Sequence, residues 1–253
     1  MRAPLFAARL ALAALIAGAL IAAAAVAWVR LGLISFETGL LDMTASVAFC
    51  LIALILSGAW LIHALKHNKG MGKRAGLIAF FGSLVLLYMP LHTVYQGMMA
   101  PPIHDATTDP EDPPRFVTLA NRPKGANSTQ FDGNRLIRYR GEQGTVSYIL
   151  HEYYEPITKP LALLMPRAKM FWRCFETAKH MGWEIVDYNE KEGRIEAKAG
   201  SFWFGQVSDI VIRVRQAGPL GARFDMRAES ERGGKDFGRN LGLIEAYRHD
   251  LNS

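Results

Sequence analysis

The first 97 residues contain three long apolar runs, and no other feature of the sequence constrains the fold as strongly. Residues 10–29 include no charged side chain, and residues 41–65 and 75–94 carry only one aspartate and two histidines near their ends. About twenty apolar residues in a helix cross a hydrocarbon core of roughly 30 Å, with every backbone polar group bonded inside the helix. The runs therefore predict three transmembrane helices and exclude a wholly soluble or disordered chain.

The first apolar run also has features of a secretory signal peptide. Arg2 and Arg9 precede it, and the small residues at 22–27 fit a signal-peptidase site. Two more apolar runs follow directly, which favours an uncleaved first helix.

Charge is divided unevenly along the chain. Seven of the 29 basic and two of the 23 acidic residues precede Gly97, so the net charge of +6 splits into +5 and +1. Basic residues lie near the N-terminus and in the loop between the second and third runs. This pattern predicts that the N-terminus and this loop face the cytoplasm. Three crossings then deliver the C-terminal part to the opposite side, the periplasm of a bacterial inner membrane. Because that part is almost neutral, we exclude nucleic acid as a partner.

Small residues in the first run leave room for a second helix to approach. Ala14, Gly18 and Ala22 repeat at intervals of four, a spacing typical of helix contacts within membranes. An alanine-rich helix also produces this spacing by chance.

Composition changes abruptly at residue 98. Five prolines stand between residues 98 and 115, mixed with acidic side chains. Proline fixes its own φ and pushes the preceding residue towards extended conformations. We therefore predict a stiff linker at 98–115, between a membrane domain at 1–97 and a periplasmic domain at 116–253.

The residues after 145 alternate between helical and strand patterns. Apolar residues spaced by three and four predict a helix over 168–178 and a second helix after Asp236, which is a candidate N-cap. Between them, two-residue alternation predicts four successive antiparallel strands over 183–229, and 146–150 is a further strand candidate. Two amphipathic helices on a sheet with one apolar face form a two-layer α+β domain with about four or more strands.

Several short stretches resemble the domain-of-unknown-function 1499 family. They are PPIHDATTDP at 101–110, FWFG at 202–205, DIVIRVR at 209–215, DMRAES at 225–230 and KDFGRN at 235–240. The resemblance covers most of residues 101–251 and extends, through the three apolar runs, to membrane-anchored bacterial members. It supports the fold and the location and implies no reaction, cofactor or catalytic residue.

The proline-rich segment holds the densest cluster of metal-binding side chains. His104, Asp105 and Asp109 combine an imidazole with carboxylates, ligands that suit zinc, manganese or calcium. Their spacing matches no known metal loop, and aspartates in proline-rich turns more often accept hydrogen bonds from nearby backbone amides. A metal-assisted hydrolase is the alternative function that this cluster would serve.

Three aromatic residues, Phe202, Trp203 and Phe204, lie between two predicted strands. They either line an apolar groove or contact lipid, or they fold over the helices and complete the core.

Basic residues on the strands suggest an anion site. Arg213 and Arg215 would project from the sheet face away from the helices, where cross-strand pairing with aspartate and glutamate on a solvated face is the alternative interpretation. Ser230 and Asp236 lead into the last helix, whose N-terminus attracts phosphate or carboxylate unless Asp236 already caps it.

No nucleophile-elbow, zinc-protease, Walker or dinucleotide motif occurs in the sequence. We therefore interpret the chain as a multi-pass inner-membrane protein whose periplasmic domain binds a lipid, an envelope component or a protein partner. A structural subunit that assembles through Ala14, Gly18 and Ala22 is a second alternative.

Overall fold

The computed structural model describes residues 3–67, 72–201 and 203–252, so Arg2, Lys69 and Phe202 of the sequence predictions lie outside the described residues. The chain forms two compact units. One holds the residues up to Tyr95 together with 203–205, and the other, which we call the C-terminal domain, holds 96–201 and 206–252.

Three long helices make up almost all of the first unit. They are α1 (Ala3–Arg30), α2 (Phe36–His67) and α3 (Lys73–Met99), and the last turn of α3 belongs to the C-terminal domain. Each is long and apolar enough to cross a membrane, with candidate spans at Leu5–Arg30, Thr38–His67 and Lys73–Met99. The predicted set of three apolar helices is confirmed.

The small-residue side of α1 contacts α2 of the same chain. A Cβ atom built on Gly18 would stand 2.9 Å from Sγ of Cys50, and the hydroxyl of Ser46 donates to the Gly18 carbonyl at 2.7 Å. Ala14 packs into a small buried cluster with Ala53 of α2. Gly18 therefore already packs against α2 of the same chain. It was the main residue through which we expected a second subunit to pack.

The C-terminal domain is a six-stranded antiparallel sheet with helices, so the predicted α+β architecture is confirmed. Its elements are β1 (Asp105–Thr107), β2 (Leu136–Tyr139), β3 (Glu142–Thr145), α4 (Val146–Tyr154), β4 (Leu161–Leu163), α5 (Arg167–His180), β5 (Glu184–Asn189), β6 (Arg194–Gly200), β7 (Val207–Ala217), β8 (Gly221–Ser230) and α6 (Arg239–Asn252). The main path runs β1-β8-β7-β6-β5, and β4 pairs with β8 beyond the end of β1. Strands β2 and β3 form a separate hairpin.

One predicted strand is a helix. Residues 146–150, which we expected to be extended, begin α4. The hydroxyl oxygen of Thr145 accepts from the backbone N–H of Tyr148 at 3.1 Å and caps the first turn. Val146, Ile149 and Leu150 then lie on one buried side, because their spacing fits a helical turn.

The proline-rich segment is built into the domain. Ile103 is 1% exposed and belongs to the main core cluster, and Asp105–Thr107 forms β1 against β8. These residues therefore contribute packing and sheet pairing in addition to joining α3 to the domain.

The core lies between the sheet and the helices α5 and α6. Ile195, Ile210 and Phe224 of three adjacent strands are fully buried there. The phenol of Tyr247 in α6 donates to the Cys174 carbonyl in α5 at 2.7 Å, which joins the two helices. Alternation along each strand sends the apolar residues to this face and the charged residues to the other.

Candidate functional site

Much of the sheet face opposite α5 and α6, which we call the charged face, is buried. Phe116 and Leu119 of the segment that follows β1 pack with Val211 of β7 and form a small apolar cluster. Asp209, Asp225, Arg227 and Glu229 of this face are at most 1% exposed. Our expectation of a solvated face is therefore wrong for these four residues, whereas the arginines that pair with Asp225 remain partly exposed.

Glu196 holds the segment that follows β1, which we call the covering segment, in place. Its carboxylate accepts the backbone N–H groups of Val117, Thr118 and Leu119 at 2.8, 3.2 and 2.7 Å. Arg194 also donates to it at 2.5 Å. Hydrogen bonds to a charged group are about twice as strong as neutral ones, so this buried carboxylate is the main anchor of the segment.

Two arginines join three carboxylates at one end of the charged face. Arg122 donates to Asp209 at 2.8 Å and to Glu229 at 2.9 Å. Arg227 donates to both oxygens of Asp105 at 2.9 and 2.7 Å, and to Glu229 at 3.1 Å. Burial, followed by repulsion from Asp105, raises the pKa of Glu229 to about 7, and burial also raises the pKa of Asp209. This cluster of two arginines and three carboxylates favours uptake of a proton, because it is buried and its carboxylates outnumber its guanidinium groups.

The structure separates the predicted metal ligands. Asp105 pairs with Arg227, whereas Asp109 lies 3.4 Å from Arg215 and 3.5 Å from Arg223. His104 is partly buried, and burial lowers the pKa of its imidazole. In the described ranges, no three His, Cys, Asp or Glu side chains stand together in a way that could hold a metal ion.

The two arginines predicted as an anion site face carboxylates. Arg213 and Arg215 both donate to Asp225, with contacts of 2.9 and 2.8 Å. Arg215 also reaches Asp112 at 2.7 Å, and this contact is the largest cause that lowers the pKa of the Asp112 carboxyl. Cross-strand charge pairing, the alternative interpretation, describes their contacts.

Asp236 and Ser230 stabilise the start of α6. The carboxylate of Asp236, three residues before α6 begins, accepts from the backbone N–H of Gly238 at 2.8 Å and of Asn240 in the first turn at 3.0 Å. Burial raises the pKa of Asp236 to about 6. Ser230 Oγ bonds the Asn240 side chain at 3.2 Å. The Asp236 carboxylate therefore already accepts from backbone N–H groups that an anion at the N-terminus of α6 would need.

Trp203 and Phe204, the described members of the aromatic triplet, do not join the core of the C-terminal domain. The ring of Phe204 packs edge-on against Phe36 with centroids 5.5 Å apart, and Arg30 Nε donates to the Trp203 carbonyl at 2.9 Å. These contacts lie within the unit of the three helices. Trp203 remains 45% exposed.

A cavity of about 360 Å³ lies in the C-terminal domain where its chain leaves α3. We call it the cationic pocket. Its lining residues are Gly97, Met98, Ala100, Pro101, Pro102, Arg138, Tyr139, Arg140, Lys235 and Phe237. Three of these side chains are basic and none is acidic, so the cavity favours a negatively charged ligand.

The basic side chains of the cationic pocket have no carboxylate partner. Arg138, Arg140 and Lys235 are exposed, and none makes an ion pair with any residue in the part of the chain that the structure describes. The guanidinium carbon of Arg140 stands 5.3 Å from the centre of the Tyr139 ring, a cation–π contact that leaves its N–H donors available.

Two strained residues line the same cavity. Arg140 and Phe237 have φ values of 50° and 55°, and they are the only non-glycine residues with positive φ among those described. With Gly141 at 86°, Arg140 makes the tight turn that joins β2 to β3. Such conformations cost about 1–3 kcal/mol each and cluster at binding sites.

The wall of the cationic pocket is held to the last turn of α3. The phenol of Tyr139 donates to the carbonyl of Met99 at 2.5 Å and contacts the hydroxyl of Tyr154 at 2.8 Å. A Cβ atom on Gly97 would stand 2.3 Å from the ring of Phe237, so only glycine permits this packing.

The sequence patterns did not predict this pocket. Arg138 and Arg140 lie outside every predicted helix and strand, and Lys235 appears only in the KDFGRN stretch that resembles the family. One signal was available in the sequence: apolar Ile137 and Tyr139 alternate with Arg138 and Arg140, which favours a short strand that ends beside two basic residues.

Comparison with known proteins adds the family. A search of curated proteins finds no match. The family model described as "Protein of unknown function (DUF1499)" matches residues 105–251, from β1 into α6, and leaves the three apolar helices outside. The matched stretch is more than half of the chain and contains the motifs on which the resemblance rests, except for the first four residues of PPIHDATTDP. The chain therefore belongs to the DUF1499 family, and it joins that domain to three helices able to cross a membrane.

Proposed function

We propose that the protein is a binding protein of the bacterial inner membrane, anchored by α1–α3, with its C-terminal domain in the periplasm. The observation that carries the proposal is the cationic pocket, in which Arg138, Arg140 and Lys235 stand without a carboxylate partner within the described ranges. The pocket adjoins the end of a candidate membrane span, so its ligand is a membrane lipid, an envelope component or a segment of a protein partner.

The proposed orientation rests on the charges of the loops. Arg2 and Arg9 lie near the start of the chain and further basic residues surround the connection from α2 to α3. Between the first two apolar runs, Arg30 at the end of α1 is offset by Glu37 and Asp42 in α2. A reporter fused after α6 tests this orientation. We expect an alkaline phosphatase fusion to be active, because this enzyme requires the periplasm. A green fluorescent protein fusion should be non-fluorescent. The opposite pair of results would overturn the orientation.

Binding is favoured over catalysis by the environment of the titratable groups. Asp105, Asp209 and Glu229 are engaged by arginines within the domain. Among the described residues, no histidine, cysteine, serine or carboxylate lines the cationic pocket. The pocket therefore offers groups that hold an anion and few that would transfer a proton.

Native mass spectrometry of the full-length protein, extracted in mild detergent, tests the proposed function. We expect wild type to retain a bound molecule that the Arg138→Ala/Arg140→Ala variant loses. The matched control is Arg115→Ala/Lys124→Ala, which removes the same charge from exposed positions outside the pocket. A molecule retained equally by all three proteins would overturn the role of the pocket. A stoichiometric metal in a parallel elemental analysis would instead favour the hydrolase alternative at His104.

A further inference from the structure

The cationic pocket combines basic side chains with an apolar rim at the end of a candidate membrane span. We propose that it binds the phosphate of an anionic glycerophospholipid, with the headgroup inside the cavity and the acyl chains outside. This inference rests on the proposed function, because it names the ligand of the same pocket.

The basic side chains match a phosphate. Arg138 and Arg140 carry guanidinium groups, whose parallel N–H donors fit two phosphate oxygens, and Lys235 adds a compact positive charge. In the described part of the chain, no carboxylate competes for these groups. A phosphodiester that enters the pocket therefore meets donors without displacing an internal ion pair.

The position of the cavity fits a lipid headgroup better than a solute taken from bulk water. Gly97 and Met98 line it and lie in the last turn of α3, whose candidate span extends to Met99. A span ends where the hydrocarbon core meets the headgroups, which is the level of the lipid phosphates. The pocket thus begins at the level where phosphates are concentrated.

Apolar side chains at the rim of the cationic pocket can contact the part of the lipid next to the headgroup. Met98 is 74% exposed and Phe237 is 44% exposed, and both line the cavity. The volume of about 360 Å³ is at the small end of ligand cavities, which span about 300–1,000 Å³. It accommodates a phosphate with a small polar alcohol, so the acyl chains must extend past Met98 and Phe237.

Rigid walls preorganise the donors. Arg140 is fixed in the β2–β3 turn, and Phe237 is fixed against Gly97. Tyr139, between the two arginines, is bonded to the end of α3. A site held in this way loses little conformational freedom when the ligand binds, which increases affinity.

The test is a titration of delipidated full-length protein in detergent, followed by native mass spectrometry. Phosphatidylglycerol and phosphatidylcholine with identical acyl chains are the two probes. We expect phosphatidylglycerol to bind at least about tenfold more tightly, and the Arg138→Ala/Arg140→Ala variant to lose about tenfold or more of that affinity. The control variant Arg115→Ala/Lys124→Ala should bind as wild type does. Equal melting temperatures of the three proteins would verify that they are folded.

The inference is overturned by equal affinity for the two lipids or by unchanged phosphatidylglycerol affinity in the pocket variant. It is also overturned if glycerol 3-phosphate displaces the lipid at a similar concentration, which would indicate a soluble phosphate ligand and leave the proposed function intact. Wild type could instead retain a different molecule that only the pocket variant loses. This result would reject the lipid as ligand and support the proposed function. If wild type binds neither lipid and retains nothing, the inference and the pocket-binding function both fail.

Discussion

Two groups of basic side chains in the C-terminal domain differ in what surrounds them. On the charged face of the sheet, Arg122 and Arg227 are buried, and each contacts two carboxylates. In the cationic pocket, Arg138 and Arg140 are exposed and make no ion pair with a described residue. The difference separates charges that hold the fold together from charges available to a ligand.

The energetic consequences of the two environments are opposite. A buried charge that loses its partner is left without water or counter-ion, which costs several kcal/mol. An exposed cation keeps its water and costs little when removed. Arginines of the charged face should therefore respond to mutation through stability, and those of the cationic pocket through binding.

Arg227→Ala should give the largest loss of stability. It leaves Asp105 and Glu229 buried with one fewer guanidinium group, and Arg227 itself is only 1% exposed. We expect the free energy of unfolding to fall by about 3–5 kcal/mol. Chemical unfolding of full-length protein in detergent, followed by tryptophan fluorescence, measures the change.

The matched variant is Arg138→Ala, which removes the same side chain from the cationic pocket. Its free energy of unfolding should stay within about 0.5 kcal/mol of wild type. Equal losses of unfolding free energy in Arg227→Ala and Arg138→Ala would contradict the distinction between the charged face and the pocket.

Glu196→Gln should release the covering segment. The carboxylate accepts N–H groups of Val117, Thr118 and Leu119, and an amide presents only one oxygen to them. We expect a loss of about 2 kcal/mol and faster hydrogen exchange at these three amides. Glu192→Gln is the control, since this exposed residue also contacts Arg194. Unchanged exchange at residues 117–119 would mean that the apolar contacts alone hold the segment.

The charged face also predicts a dependence of stability on pH. The folded pKa of Glu229, about 7, is above its ordinary value of 4.5, so folding favours the protonated form. This contribution is complete below about pH 4.5 and is lost as the pH rises through about 7. Between pH 5 and pH 8, wild type should therefore lose at least about 1 kcal/mol relative to Glu229→Gln, which cannot titrate.

Unfolding of both proteins at the two pH values measures this difference. Other titrating groups, including His104, are present in both chains, so their effects largely cancel. A parallel response of wild type and Glu229→Gln would show that Glu229 keeps its charge throughout this range.

Local sequence patterns predicted much of the fold. The alternation of Ile210, Ile212 and Val214 with polar residues indicates both a strand and its apolar face, because successive side chains on a strand point to opposite sides. The proposed metal ligands were grouped only by their nearness in sequence. In the fold, Asp105 pairs with Arg227, and Asp109 lies 3.4 Å from Arg215.

Contacts between distant segments could not be predicted in this way. Glu196 binds backbone groups 77–79 residues earlier in the chain, in a segment without helical or strand periodicity. The cationic pocket combines three separate segments, around Met98, Tyr139 and Lys235. By themselves these segments are a helix end, a short hairpin and a loop, and only the folded chain brings Arg138, Arg140 and Lys235 together.

Among the charged-face variants, the smallest loss of stability is expected for an arginine at the edge of that face. The side chain of Arg215 is 32% exposed, and its partner Asp225 keeps a contact with Arg213 at 2.9 Å when Arg215 is removed. Since solvent screens the pair and the buried carboxylate retains a cation, Arg215→Ala should cost at most about 1 kcal/mol. The same unfolding measurement in detergent tests this value. A loss equal to that of Arg227→Ala would mean that partner number, and not burial, decides how strongly an arginine stabilises the domain.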